Sequence, residues 1–393
     1  MLTNRIVFLF TLLGLVASCQ PKEKFDWEVG LSAPKYYSSS PKVQFFYKDK
    51  IIHGASTNIG IQPGWGETSG GYASGKDPDE VPDSLHVEWL CGSDRFYYKG
   101  DFKLPRKRML KLFQNPVKDE YNEDRAYTLI VVGTAPGGNV TVWMQAGSTQ
   151  TEIGKFKAQN KGIWKESDHH YNSILDEAHA SKEFINGEYN VFHYLHGIPY
   201  SVWGKNEKKY DYDTGFMSQD NNAKGLIVTF FNKDGSWHQS FINPKTDMST
   251  EVFSWNNIEY IENNNNLKKR KLPVQIYMQF ELKNEKKILD AQIIMPQNFE
   301  KLISEAYRDS ISGKKEFYNR ILIGVYNGNK EGTVWLTGKN KKMKLLNFIL
   351  YNTNDEKNKE NIRYSLPQDF KFPKWQGREK LIAPDKEIFW KEN

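Results

Sequence analysis

The feature that most constrains this chain is that its sequence repeats itself. Lys24-Phe25-Asp26-Trp27-Glu28-Val29-Gly30-Leu31 returns as Lys209-Tyr210-Asp211-Tyr212-Asp213-Thr214-Gly215-Phe216, identical or similar at nearly every position. Leu104-Pro105 returns as Met295-Pro296, each opening a basic segment. An apolar run ending in glycine follows in both, Thr128 to Gly133 and Arg320 to Gly324, and then Thr141-Val142-Trp143-Met144 and Thr333-Val334-Trp335-Leu336. Val202-Trp203 and Phe389-Trp390 close the two series. One chance match is common, but five in the same order at an offset of 185 to 192 residues mean two homologous units. Their boundaries fall at 25–205 and 209–393, each long enough to bury a core of its own.

Within each unit the apolar residues alternate. Leu85 to Leu90, Val140 to Gln145 and Val274 to Glu281 read as half-buried strands. One helix is expected after Pro105, with Met109, Leu112 and Phe113 inward. Its counterpart after Pro296 places Phe299, Leu302, Ile303, Ala306 and Tyr307 on one face. Pro136-Gly137-Gly138-Asn139 predicts a tight turn in which glycine supplies positive φ. Many strands, one or two helices per unit and no βαβ rhythm predict an α+β, β-rich chain of two antiparallel, sandwich-like domains.

The first 18 residues read as a secretory signal. Arg5 precedes the apolar run Ile6 to Val16, and small residues lead to Cys19. As a helix that run rises about 16 Å, about half the depth of a hydrocarbon core, so a membrane span is the weaker reading. Val16-Ala17-Ser18-Cys19 resembles a bacterial lipobox, which implies diacylation of Cys19 with chains such as palmitate and removal of residues 1–18. Two or more acyl chains anchor a protein stably where one does not. Residues 19–24 then form a polar tether with no Asp beside the cysteine, which by analogy with Gram-negative lipoproteins favours the outer membrane, facing either the periplasm or the exterior.

The motifs of the first unit carry a further resemblance. Pro82-Asp83-Ser84-Leu85-His86-Val87-Glu88-Trp89, Phe96-Tyr97-Tyr98, Leu104-Pro105, Val131-Val132-Gly133-Thr134-Ala135-Pro136-Gly137-Gly138 and Val142-Trp143 look like the bacterial lipoprotein family catalogued as domain of unknown function 2931. The lipobox and Phe25-Asp26-Trp27 fit as well. The second unit resembles it more faintly, with Asn327-Gly328-Asn329 in place of the Pro-Gly-Gly turn. The resemblance implies an envelope lipoprotein of Bacteroidetes-like bacteria and transfers no activity.

Candidate chemistry is sparse. Gly70 to Lys76 has the spacing of a phosphate loop, but Asp77 stands where a magnesium-binding hydroxyl is needed, and no nucleotide or other cofactor is expected. There is no Gly-x-Ser-x-Gly elbow. His169, His170, His179, His193 and His196 crowd one polar segment, and His193 and His196 could share a helix face as metal ligands; the plainer reading is solvated loop histidines. The second unit has no such cluster. Cys91 sits in a strand-like run and is expected to pack as a small hydrophobe. Asp77-Pro78-Asp79-Glu80 reads as a solvated turn without the oxygen spacing of a calcium loop, and Lys268-Lys269-Arg270-Lys271 as a solvated loop.

Trp65 and Tyr72 lie in a glycine-rich stretch, where an aromatic is either pinned onto its own domain, the plainer reading, or held out for a ligand, which makes both ligand-binding candidates. A net charge of +6 over 393 residues is too mild to point to a nucleic-acid partner. The expectation is therefore a membrane-anchored, non-enzymatic binding protein for a protein or glycan partner, one form of which is immunity to a periplasmic toxin. The alternative is a metal-dependent hydrolase of envelope polymers.

Overall fold

In the computed structural model the described residues are 23–59, 63–68, 78–94, 96–118, 122–163, 188–205, 207–218, 223–241, 268–282, 287–326, 330–352, 364–368 and 370–371. Cys19, Tyr72, Gly70 to Lys76, His169, His170, His179 and Phe389-Trp390 lie outside them.

The first half packs two sheets face to face. One has the order Thr149–Lys157, Asn139–Ala146, Leu129–Ala135, Glu28–Ser32. The other has the order Gln159–Ile163, Phe96–Lys103, Ser84–Cys91, Ser39–Tyr47, Lys50–Ser56. In Ser84–Cys91 every second residue is buried, so Leu85, Val87, Trp89 and Cys91 face the core, where they join Val29, Leu31, Ile130, Val132 and Val142 of the opposite sheet. This is the period-2 arrangement of a sheet with one wet face.

Not every pair is antiparallel. Glu28–Ser32 runs parallel to Leu129–Ala135. Parallel neighbours need a crossover, and here the chain between them supplies four strands of the facing sheet.

The second half repeats this plan. Its strands Lys341–Ile349, Glu331–Gly338, Tyr318–Tyr326 and Tyr210–Ser218 form one sheet in that order, with Tyr210–Ser218 parallel to Tyr318–Tyr326. The facing sheet runs Trp237–Phe241, Ala223–Asn232, Pro273–Leu282, Lys287–Ile294, Tyr351–Asn352.

The registers agree as well as the order. Gly30 lies opposite Val131 and Gly215 opposite Leu322. Gly133 pairs with Thr141 and Gly324 with Thr333. Each third strand bulges at the same place, between Val142 and Trp143 and between Val334 and Trp335. Even the entries to the helices match, Leu104 N donating to Asp83 O (2.7 Å) and Met295 N to Val274 O (3.0 Å).

The first helix, Arg106–Gln114, buries Met109 and Phe113 and half-buries Leu112. The second is shorter than its apolar spacing predicts: it covers Phe299–Ser304, and Glu305 turns to extended backbone. Ala306 and Tyr307 therefore leave the helix. The Ser304 hydroxyl bonds back to Glu300 O at 2.5 Å, a local competitor of the helical pattern, and Tyr307 begins a strand paired with Glu316. Pro136–Gly138 forms the expected tight turn, with φ of +74° at Gly137 and +80° at Gly138. A Cβ on Gly138 would stand 2.6 Å from Ala158 O, so glycine is required there.

Two expected loops are strands. Asp79–Glu80 pairs with Lys24–Phe25, and Glu80 meets the Lys24 ammonium at 3.3 Å. Lys268–Arg270 pairs with Tyr210 to Tyr212 at a sheet edge, a position where lysine protects an exposed strand. High polarity suggested solvation in both cases, but backbone pairing does not depend on side-chain polarity.

Candidate functional site

The two halves meet in a buried seam whose centre is a turn. Asn232-Lys233-Asp234-Gly235-Ser236 joins two strands through an Asp-Gly pair, the dipeptide that accepts positive φ most readily. Gly235 has φ +73°, and its N–H closes the turn on Asn232 O at 3.0 Å. Its carbonyl then accepts two bonds from the first half, from Lys35 N (2.9 Å) and Trp65 N (3.0 Å). Trp203 Nε1 donates to Asp234 O at 2.9 Å, and Trp237 Nε1 to Pro63 O at 2.5 Å. Around these bonds Tyr36, Tyr37, Trp143, Phe192, Trp203 and Phe231 form one aromatic cluster spanning both halves. Such rings contribute large apolar area, and buried indole N–H groups find partners, as they do here.

Trp65 belongs to this cluster. It is 7% exposed and packs edge-to-face on Trp143 with ring centroids 5.1 Å apart. The loop that carries it is pinned onto its own domain and onto the second half.

The histidines are arranged differently from the solvated loop expected for them. His193 and His196 lie on a helix, Glu188–His196. His193 is fully buried, stacks on Tyr37 at 4.7 Å, and its Nε2 is bonded to Tyr36 O. Ser93 Oγ stands 3.4 Å from the same nitrogen, which donates to the carbonyl and so cannot act as a base toward that hydroxyl. His196 reaches the other way: Gln275 Nε2 donates to Gln292 Oε1 (2.8 Å), leaving Gln275 Oε1 to accept from His196 Nε2 at 2.9 Å. Burial lowers the His196 pKa to about 4, so the ring is neutral at pH 7. The two side chains thus serve opposite walls of the seam. Among the described residues no group of three or more His, Cys, Asp or Glu is placed to hold a metal ion.

Cys91 is buried, and burial pushes its thiol well above the ordinary range. His86 lies on the other face of the same strand and bonds the Asp101 carboxylate at 2.6 Å. No base therefore activates the sulfur from that residue.

Beside the seam is a cavity of about 340 Å³. Leu195 and His196 at the helix end, Glu207 in the linker, and Tyr210, Phe299 and Glu300 of the second half wall it. The Glu207 carboxyl is half-buried, and among the described residues its Oε2 has no hydrogen-bond partner. Burial, then the nearby Asp234 carboxylate, raises its pKa to about 7 against the pull of Lys271 and Lys233. Tyr210 donates to Glu300 Oε1 at 2.6 Å, and its own pKa is pushed up to about 12 by burial and by that bond. An apolar wall with a few converging polar groups, one strongly perturbed, is the usual make-up of a ligand site.

Sequence reasoning passed over Glu207 because it falls between the repeats, where no pattern points to it. The one available signal was that position itself, since a linker between two rigid units lies where their surfaces converge. No curated protein matches the chain. The family whose model matches residues 16–201 is described as a protein of unknown function, DUF2931, and the match supports the resemblance carried by the N-terminal half of the sequence.

Proposed function

We propose that this protein is an envelope lipoprotein, acylated on Cys19 and held at the outer membrane, that works by binding and not by catalysis. The second half is read as a further copy of the family's domain. Shared strand order, matched registers and a bulge at equivalent valines support that reading. A duplicated sandwich offers a ligand the groove where its copies meet.

The observation that carries the binding reading is the cavity at the linker, lined by the Glu207 carboxyl, whose Oε2 has no hydrogen-bond partner among the described residues. A carboxyl with a pKa of about 7 can accept from or donate to a hydroxyl or amide, and Phe299 and Tyr210 supply apolar and aromatic surface beside it. Hydroxyl- and amide-rich envelope glycans and peptides have the matching chemistry. A metal-dependent hydrolase built on His193 and His196 gains no support, because Tyr36 O and Gln275 Oε1 occupy their Nε2 atoms.

The test is calorimetric titration of the full mature chain, carrying Cys19→Ser for solubility, with muropeptides released from peptidoglycan. The reading predicts saturable binding that Glu207→Gln and Phe299→Ser weaken, with the muropeptides recovered intact. Absence of binding, or cleavage of the muropeptides, contradicts it.

A further inference from the structure

In the second half two hairpin turns come together beside Tyr307, a residue of the core's edge. The strands Tyr307–Arg308 and Lys315–Glu316 are joined by a turn in which Asp309 N donates to Lys314 O and Gly313 N to Asp309 O, both at 2.9 Å. Asn340, in the turn between Glu331–Gly338 and Lys341–Ile349, donates Nδ2 to Asp309 Oδ1 at 3.2 Å. Tyr307 Oη donates to Lys339 O at 2.7 Å. These bonds make one rigid tip.

Its surface is unusual. Ile311 is 78% exposed and Phe317 53%, two of four large apolar side chains exposed among the described residues. The same two hairpins carry Arg308, Lys314, Lys315, Lys339 and Lys341, all exposed, with the Lys341 ammonium 4.8 Å from the Tyr307 ring centre. Arg308 lies directly across from Lys315, and like charges so opposed destabilise a sheet in water. Asp309, whose carboxylate is kept ionised by bonds from Ser312 N (2.8 Å), Ser312 Oγ (2.5 Å) and Asn340, and the half-buried Glu316 offset two of these five cations, and the tip stays net positive. The fold does not demand the pattern. The corresponding hairpin of the first half pairs Val117–Lys118 with Asp124–Arg125, and the sequence between and around those strands holds Asp119, Glu120, Glu123 and Asp124.

We infer that this tip docks on an anionic phospholipid surface, with Ile311 and Phe317 entering the headgroup boundary and the cations of the two hairpins meeting lipid phosphates. Exposed apolar groups on hairpins that also carry Lys and Arg match such an interface in both chemistry and charge, since the lysine stems lie along apolar surface while their ammonium groups reach the headgroups. The inference stands independently of the linker cavity and of the acyl group on Cys19.

The experiment is co-sedimentation of the full mature chain carrying Cys19→Ser with phosphatidylcholine vesicles, with and without phosphatidylglycerol. Binding is expected only when phosphatidylglycerol is present, and is expected to fall with added salt. Ile311→Ser with Phe317→Ser should weaken it about tenfold or more, as should Lys314→Glu with Lys315→Glu. Glu207→Gln should leave it unchanged. All five positions are exposed or outside the core, and unchanged circular dichroism establishes that the variants fold. Equal binding to both vesicle types, no binding to either, or Ile311/Phe317 and Lys314/Lys315 variants that bind like the parent would overturn the inference. So would capture by immobilised polyglutamate in place of vesicles, which would assign the tip to an acidic polypeptide.

Discussion

The indole N–H of Trp203 donates to the carbonyl of Asp234 across 2.9 Å, joining the last residues of the first sandwich to a hairpin turn of the second. Trp203 is 1% exposed and touches the aromatic cluster shared by both halves. Trp203→Ala should cost about 3–5 kcal/mol, the range for a buried aromatic truncated in a core. Because the lost contacts couple the halves, calorimetry should split one unfolding transition into two. A single transition with unchanged midpoint would show that the seam contributes little.

Gly235 tests the same seam through the backbone. With φ at +73° and an added Cβ only 2.5 Å from Pro34 Cβ, Gly235→Ala meets both strain and collision. A loss of at least about 1 kcal/mol is expected in urea unfolding, against the gain that Gly→Ala gives where the backbone permits it.

The linker cavity predicts a pH signature. Glu207 has a folded pKa of about 7 against an ordinary 4.5, so its favourable contribution is complete below pH 4.5 and is lost as pH rises toward 7. His196 has the opposite sign: its pKa is lowered from 6.5 to about 4, so its contribution is present above pH 6.5 and lost as pH falls toward 4. Urea unfolding of Glu207→Gln across this range should show a shallower fall of stability between pH 4.5 and 7 than the parent, and His196→Gln a shallower fall on acidification. Identical pH profiles for all three proteins would refute the assignment.

Cys91 should be silent in the native state. Buried, and with its thiol pushed up by burial and by Asp94, it should react with iodoacetamide only after denaturation. Native-state alkylation at the rate of a free thiol would contradict its placement.

The repeats made much of the fold legible. Matching Gly30 to Gly215 and Thr141 to Thr333 anticipates paired strands, because residues that alternate inward in one unit do so in the other. The alternation around Cys91 and the Pro-Gly-Gly turn were readable for the same local reasons. The seam was not. Its bonds join residues far apart in sequence, such as Trp237 with Pro63 and His196 with Gln275, and no periodicity encodes them. His193 was misread for a related reason: its polar neighbours suggest solvent, whereas tertiary packing on Tyr37 buries it. Parallel pairing of Glu28–Ser32 with Leu129–Ala135 escaped notice because strand patterns carry no direction.

The proposed function requires acylation of Cys19, which would determine the compartment and hence the partners available. Cells expressing the protein and fed radiolabelled palmitate provide the direct measurement. Label should appear in the mature protein, remain after delipidating extraction, and vanish in Cys19→Ser, with the variant released from the membrane fraction. An unlabelled parent protein, or equal labelling of the variant, would contradict the account.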